Sequence, residues 1–480
     1  MGTLIGRERE LARLDAALAS GMATFVRGPR GCGVSALLDA AVTDRQGVLR
    51  AAGVEGESGF PYAALHQLLR PLRRAVRELE GEPGEALRAS FGFSDEGVPA
   101  AASVAAALVS LARDAGPGIV CVDDWQWVDA ESRAALEAFI ASGVGVPVLL
   151  GGHGAGPSGV AELAVGPLDP VASSVLLGDG LPLLVRERVL REAAGRPLAL
   201  MELPLAYTGA SDGVLLGSWA PLTGVLEEAF ADGLEGLEPD CVVAVLVAAL
   251  DDGGRLGDVL SAAAVLVGRE LSDVDLAPAV SCGLIELDGD RLTFAHPLTR
   301  AAVRHASSPA ARAAGHEAFA SVVAGRDPDR AIWHRVVGAP GTDGALAAEL
   351  EAVSLRSRAG GDYERAAAGL RRAANLTPAG PERSRRLVAA AELAAEIGGI
   401  EVADRLVEAA VPAHLDAVGR ARLLALRSRA SASSLAAAAR ACPDPDLALR
   451  LWWRAATEIQ AAGGDGAAMA REAEARATAA

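Results

Sequence analysis

A parallel α/β domain followed by a helix-dominated remainder is the fold class this sequence predicts, and three observations predict it. The apolar run Thr24-Phe25-Val26-Arg27 enters a glycine-rich turn, Gly28-Pro29-Arg30-Gly31-Cys32-Gly33. An apolar-periodic segment, Val34-Ser35-Ala36-Leu37-Leu38, leaves it, so the order is strand, loop, helix. About 95 residues on, Gly118-Ile119-Val120-Cys121-Val122 reads as a second apolar strand and ends in Asp123-Asp124. From about residue 311 the chain reads as nearly all helix, and an excess of alanine with few aromatics over the whole sequence favours helix.

The spacing Gly28-x-x-x-x-Gly33-x-Ser35 meets the phosphate-loop pattern G-x-x-x-x-G-K-[ST] at every fixed position but one. In such a loop, glycines let successive N–H groups converge on phosphate oxygens, and the helix N-terminus adds positive charge. The candidate nucleotide-binding stretch is Gly28, Pro29, Arg30, Gly31, Cys32, Gly33, Val34, Ser35 and Ala36. The exception is the lysine, because Val34 stands in its place. The chain has no lysine at all; its 45 basic residues are arginines. The acidic pair after the second strand supplies the other half of the site. Asp123 is the candidate Mg²⁺ ligand together with the Ser35 hydroxyl, and Asp124 is the candidate for water activation. Alternatively, the two acids only cap the helix that follows.

Bulk properties narrow the function classes. A length of 480 residues implies roughly three domains at about 150 residues each. A net charge of −17 disfavours nonspecific binding to nucleic acid or anionic membranes. Cys32, Cys121, Cys241, Cys282 and Cys442 form no C-x-x-C pair and read as reduced thiols. With no signal-peptide pattern at Met1 and no long uncharged apolar run, the expectation is a cytoplasmic protein without a membrane span.

In chain order, residues 6–20 form an amphipathic helix with Leu11, Leu14 and Leu18 on one face. A strand is expected at 47–53 and a mostly helical segment at 60–72. Residues 81–99, rich in Gly, Pro and acid, read as an exposed connection. A helix at 100–115 precedes the Asp-Asp strand.

Taken together, several stretches resemble the large ATP-binding LuxR-type regulators, actinobacterial members of the STAND class of signalling ATPases. They are Gly6-Arg7-Glu8-Arg9-Glu10-Leu11, the phosphate loop, Leu65-His66-Gln67-Leu68-Leu69-Arg70-Pro71-Leu72 and Val122-Asp123-Asp124-Trp125-Gln126-Trp127-Val128-Asp129. Two more are Gly195-Arg196-Pro197-Leu198 and Phe294-Ala295-His296-Pro297-Leu298. The resemblance implies a P-loop NTPase core (1–166), a helical lid (167–215), a winged helix (216–310) and TPR-like all-α helical repeats (311–480). It also implies ATP or ADP with Mg²⁺ as ligand, with Pro197 near the base and ribose and His296 near the β-phosphate. From the residues alone, Pro197 is equally a helix start and His296 a cap for the helix at 297–305.

Three departures from that resemblance matter. Val34 replaces the lysine. After the strand at 146–150, relatives carry an arginine or polar sensor, whereas this chain reads Gly151-Gly152-His153-Gly154, with His153 either a loop residue or a weak sensor. Finally, no basic helix-turn-helix appears before Ala480.

Residues 282–294 alternate around a Gly-Asp turn and read as a wing hairpin. The stretch 216–310 carries 15 acids against 5 arginines, net −10, so this domain is read as an internal clamp without DNA contact. Ala367-x-x-Leu370-x-x-Ala373-Ala374 recurs 36 residues on as Ala403-x-x-Leu406-x-x-Ala409-Ala410, with Gly360-Gly361 and Gly398-Gly399 as turns between helices. Residues 350–480 hold 16 acids and 18 arginines, so they offer a surface of different charge. Trp452-Trp453 reads as core packing, with a protein-contact anchor as the alternative.

Three functional readings follow. One is a nucleotide-binding switch with weak or lost hydrolysis that acts through a protein partner on the repeats, as a homo- or hetero-oligomer, in transcriptional or signalling control. Another is a pseudo-ATPase scaffold that binds no nucleotide. The third is an active ATPase using Arg30 or a partner's arginine.

Overall fold

The computed structural model describes residues 4–91, 98–116, 118–209, 220–339, 341–427, 430–463 and 465–477. The chain divides into two compact units, Met1–Asp179 with Ala193–Met201, and Gly180–Glu192 with Glu202–Ala480.

The first unit is built on five parallel strands. In chain order it runs α1 (Glu8–Ala19), β1 (Ala23–Arg27), α2 (Val34–Val42), β2 (Val48–Ala52), α3 (Ala63–Leu69), α4 (Arg73–Glu78), α5 (Gly81–Ser90) and α6 (Ala101–Ala115). It continues with β3 (Ile119–Asp123), α7 (Ala130–Ala141), β4 (Val148–Gly152), β5 (Ala161–Ala164) and α8 (Pro170–Leu177). The strand order is β2-β3-β4-β1-β5, with β1 paired to both β4 and β5. The apolar runs in β1, β3 and β4 follow from burial on both faces. Phe25, Val120, Val122, Val148 and Leu150 point into one core, with Leu65, Leu68, Leu108, Leu136 and Phe139 from α3, α6 and α7. Val26, Cys121 and Leu149 point the other way, onto Leu14 and Leu18 of α1 and Leu37 and Leu38 of α2. All strands run the same way, so the loops after β1, β3 and β4 emerge at one edge of the sheet.

The expected exposed connection at 81–99 is corrected in part. Residues 81–90 form α5, and Leu87 is fully buried in the first core. Pro83 sits in the first turn, where a missing N–H costs nothing, so proline there does not break the helix. Positions 92–97 of that stretch lie outside the described residues.

Next in the chain come the expected lid helices, α9 (Leu183–Ala193) and α10 (Pro197–Gly209). The expected boundary between the lid (167–215) and the winged helix (216–310) falls within 210–219, outside the described residues.

The second unit continues with α11 (Gly224–Ala231), α12 (Pro239–Ala249), α13 (Leu256–Val267) and α14 (Asp273–Ser281). The antiparallel hairpin β6 (Ile285–Asp288) and β7 (Arg291–Phe294) follows, then α15 (Pro297–Ala306). The hairpin turns at Gly289-Asp290, as its alternation predicts, and Gly289 takes the left-handed conformation that glycine allows without strain.

From there the unit is a succession of helices, α16 (Pro309–Val323), α17 (Pro328–Gly338), α18 (Gly344–Ala359), α19 (Tyr363–Leu376), α20 (Pro381–Glu396) and α21 (Ile400–Ala409). Then come α22 (Ala417–Leu426), α23 (Ala432–Ala441), α24 (Pro445–Ala461) and α25 (Ala467–Ala477). Each packs on its sequence neighbours. The two copies of the alanine-leucine pattern fall on α19 and α21, the second helix of successive helical hairpins. Both glycine pairs sit at the hairpin turns, with Gly361 and Gly398 at positive φ. Trp452 is wholly buried in α24, while its neighbour Trp453 is 65% exposed.

A buried charged cluster joins α16 and α17 to the α12–α13 region. Arg330 donates from Nε to Asp251 at 2.7 Å and from Nη1 to Asp258 at 3.0 Å. His334 Nε2 lies 3.3 Å from the Asp251 carboxylate and must donate to it. In the neutral ring that leaves His334 Nδ1 as acceptor for the Nδ1–H of His316, at 2.9 Å. Burial, then the neighbouring His334, pushes the His316 ring down to about 3. Burial alone would raise Asp251, but hydrogen bonds from His334 and Arg330 hold it well below the usual carboxylate range.

The sign follows from linkage. An unfolded histidine takes up a proton near pH 6.5 and the folded one only near 3, so stability is lost as pH falls through that window. The expected loss is up to about 1.4 kcal/mol per pH unit. Urea midpoints between pH 6.5 and 4 should therefore fall more steeply for the wild type than for His316→Asn, whose amide donates to His334 without titrating. Parallel slopes would contradict this account of the cluster.

Candidate functional site

The site forms where the loops after β1, β3 and β4 leave the sheet. The loop after β1 reverses tightly, with Gly31 and Gly33 at φ of 79° and 88°, values that a side chain would strain. Its backbone is pinned from outside. Arg7, 4% exposed, donates from Nη2 to the carbonyls of Cys32 (3.0 Å) and Gly166 (2.7 Å). Arg196 Nη1 donates to the carbonyl of Arg30 at 2.7 Å, and the Leu198 N–H to that of Gly31 at 3.1 Å. A planar peptide sets its N–H opposite its C=O. Holding the carbonyls of Arg30 and Cys32 outward therefore turns the N–H groups of Gly31 and Gly33 to the opposite, inner side. Cys32 is buried behind the loop, and burial pushes its thiol up.

At the start of α2, Ser35 comes near enough to Asp123 for its side chain to hold that carboxyl down. The two residues that the sequence pairs as metal ligands, 88 positions apart, are thus brought together. Burial raises the Asp123 carboxyl; the nearby Ser35 side chain and the Asp124 N–H at 2.8 Å oppose that shift. A half-buried carboxylate beside a hydroxyl is a hard oxygen pair, the donor set that suits Mg²⁺.

Asp124 is itself held in the left-handed region at φ 49°. Its carboxylate accepts from Gln126 Nε2 at 2.8 Å. Gln126 Oε1 in turn accepts the His153 N–H at 3.2 Å, and His153 Nε2 accepts Arg30 Nε–H at 3.4 Å. An arc of hydrogen bonds thus runs Asp124, Gln126, His153, Arg30 across the three loop ends.

Val34 turns its methyl groups toward the strand ends. Each Cγ lies 3.0 Å from where a Cβ would stand on Gly28 or Gly151. Ala36 is exposed on α2. Pro29 is exposed, and its carbonyl accepts the Cys32 N–H. Pro197 begins α10, with Cγ 3.8 Å from the Cβ position of Gly33, so it borders the loop. His296 belongs to the second unit, where its Nδ1 accepts the Leu298 N–H at 3.1 Å, its ring stacks on Phe230 and it caps α15. Among the described residues no cluster of three or more His, Cys, Asp or Glu forms a metal site, and no helix is long and apolar enough to cross a membrane.

Residues 3–150 match the AAA ATPase domain. That AAA-like segment spans α1 to β4 and contains the loop, Ser35, Asp123 and Asp124. No curated protein matches the chain. Among solved structures, a STAND protein with a tetratricopeptide repeat sensor from Pyrococcus horikoshii is 16% identical, with a TM-score of 0.33, over 100% of this chain and 78% of that one. A Walker-type ATPase of Pyrococcus abyssi is 17% identical, with a TM-score of 0.44, over 63% of this chain and 96% of that one.

Sequence reasoning missed three supports of the AAA-like segment. Arg7 was visible only as part of a helix start, and Gln126 only as part of the Asp-Asp stretch. Asp129, 2% exposed, accepts the N–H groups of Tyr62 (2.8 Å), Ala64 (3.0 Å) and Ser132 (2.8 Å), tying α3 to the start of α7. The spacing Asp129-x-x-Ser132 before an apolar helix was the available cue for its capping half.

Arg7→Met removes two charge-assisted bonds to buried carbonyls and should destabilise the first unit by about 2–4 kcal/mol. Urea unfolding followed through the first unit's tryptophan fluorescence measures it. A change under about 0.5 kcal/mol, the level of an ordinary surface substitution, would show that Arg7 does not brace the loop.

Proposed function

We propose that the chain is a regulatory nucleotide switch of the STAND type, holding ATP or ADP with Mg²⁺ and hydrolysing it weakly or not at all. The observation that carries this reading is the approach of Ser35, at the start of α2, to Asp123, at the end of β3, beside a loop whose carbonyls are held by Arg7 and Arg196. Backbone N–H groups at Gly31 and Gly33 would take phosphate oxygens. Ser35 and Asp123 would hold the Mg²⁺, which supplies charge neutralisation at the phosphates. Asp124, fixed by Gln126, is the proposed group for orienting water.

Position 34 argues for slow turnover. A lysine there makes a charge-assisted contact worth about 1.5–3 kcal/mol, or roughly ten- to 150-fold in affinity. Its loss weighs more on hydrolysis, where charge on the transferring phosphoryl needs stabilising. The same observation favours the second reading, a scaffold that binds no nucleotide.

The remaining assignments are part of the proposal. Residues 216–310 act as a winged-helix clamp, their hairpin being the wing. The TPR-like hairpins from α18 onward receive a protein partner, in transcriptional or signalling control without direct DNA contact. Assembly into homo- or hetero-oligomers and a cytoplasmic location belong to the same reading.

Denaturing the purified protein and assaying the released supernatant tests retained adenine nucleotide. Val34→Lys should raise ADP affinity roughly ten-fold or more. No bound nucleotide and no gain from Val34→Lys would leave the scaffold reading. Robust wild-type turnover abolished by Asp124→Asn would overturn the claim of weak hydrolysis.

A further inference from the structure

Helix α14 has two unlike sides. Leu276 and Ala279 are fully buried in the core of the second unit. The opposite side, spaced i, i+3, i+4 and i+7, is Val274, Ala277, Pro278 and Ser281, all exposed, with Val274 at 74%. Apolar groups at that spacing on a helix surface are the pattern by which a second helix docks.

Pro278 adds an independent feature. It has no N–H to offer the carbonyl of Val274, four residues back, so the ordinary helical bond to that carbonyl cannot form. A proline inside a helix costs stability, so helix formation does not account for it. The outer side of α14 thus holds a hydrogen-bond acceptor among its apolar groups.

The surrounding charges have one sign. Arg269, just before the helix, is shared between Asp240 and Asp275, at 2.8 and 2.9 Å. Glu270 and Asp273 at the N-terminal end of α14 are exposed, as is Glu286 on β6, which packs on α14. Among the described residues these three acids form no ion pair. They repel the phosphates of nucleic acid. They complement a cationic peptide, whose N–H donors also suit the open carbonyl.

We propose that the outer side of α14 is a docking surface for an amphipathic helix of a partner protein, with apolar anchors at helical spacing and arginine or lysine beside them. This surface uses other residues than the hairpin repeats and does not rest on the nucleotide-binding reading.

Fluorescence anisotropy of the full chain with labelled model peptides tests it. The first peptide is a helix former with leucines at i, i+3, i+4 and i+7 and arginines flanking them. A second carries glutamates in place of the arginines, and a third has the first one's composition with its leucine spacing scrambled. The wild type should bind the first roughly ten-fold or more tightly than either of the others. Val274→Asp should weaken that binding roughly ten-fold or more, whereas Val225→Asp, at a 51% exposed valine of α11, should change it by less than about threefold. Val274 is mostly in solvent, so the thermal midpoint of Val274→Asp should match the wild type. The double change Glu270→Gln, Asp273→Asn leaves the apolar face intact and should flatten the salt dependence of binding. Equal binding of the three peptides, or wild-type affinity in Val274→Asp, would overturn the proposal. So would a wild-type dimer in sedimentation that Val274→Asp makes monomeric, because a second copy would then cover the face.

Discussion

The outward capture of three carbonyls is the interaction on which the site depends. A glycine-rich loop has many conformations, and without external restraint its N–H groups would not converge. Arg7, Arg196 and the Leu198 N–H take the carbonyls of Cys32, Arg30 and Gly31 in turn. Each is worth little alone, and the charged donors most. Together they fix the loop before any ligand arrives, so less of the binding free energy is spent on ordering it. Arg7 lies just before α1 and Arg196 just before α10, so residues at the starts of two helices set the geometry of the loop after β1.

The site combines intact oxygen chemistry with altered cation chemistry. Ser35 and Asp123 meet, Asp124 is oriented, and the sheet delivers all three loops to one edge. What differs is how positive charge is supplied. Position 34 is apolar and packs inward, while guanidinium groups surround the loop from other elements. A guanidinium binds as a fork and is bulkier than an ammonium, so it cannot repeat a lysine's approach. On the proposed reading, that arrangement would retain a nucleotide better than it would transfer a phosphoryl group, which relies on charge stabilised at the transferring group.

The regular parts of the structure were legible because their signals are local. Burial on both faces of β1, β3 and β4 produced apolar runs bounded by glycine and acid, and the Gly289-Asp290 hairpin carried its own turn. The 36-residue alanine-leucine pattern landed in register on α19 and α21. In the proposed site, the loop and the acidic pair stood out in the sequence because their spacing matches what phosphate and metal binding would require. The braces were not. Arg7 bonds a carbonyl 25 residues away and Arg196 one 166 residues away, and nothing local marks an arginine for such a role. The helix at 81–90 was hidden by Gly81 and Pro83, which suit a helix start as well as a loop. The His316–His334 contact joins two helices whose own patterns give no reason to pair them.

Amide hydrogen exchange of the full chain, with and without Mg²⁺ and ADP, tests the central claim most directly. If the pinned loop is a phosphate cradle, added nucleotide slows exchange at the amides of residues 30–36 and leaves the hairpin repeats from α18 onward unchanged. Exchange in 30–36 that is indifferent to nucleotide, or protection confined to other segments, would contradict it.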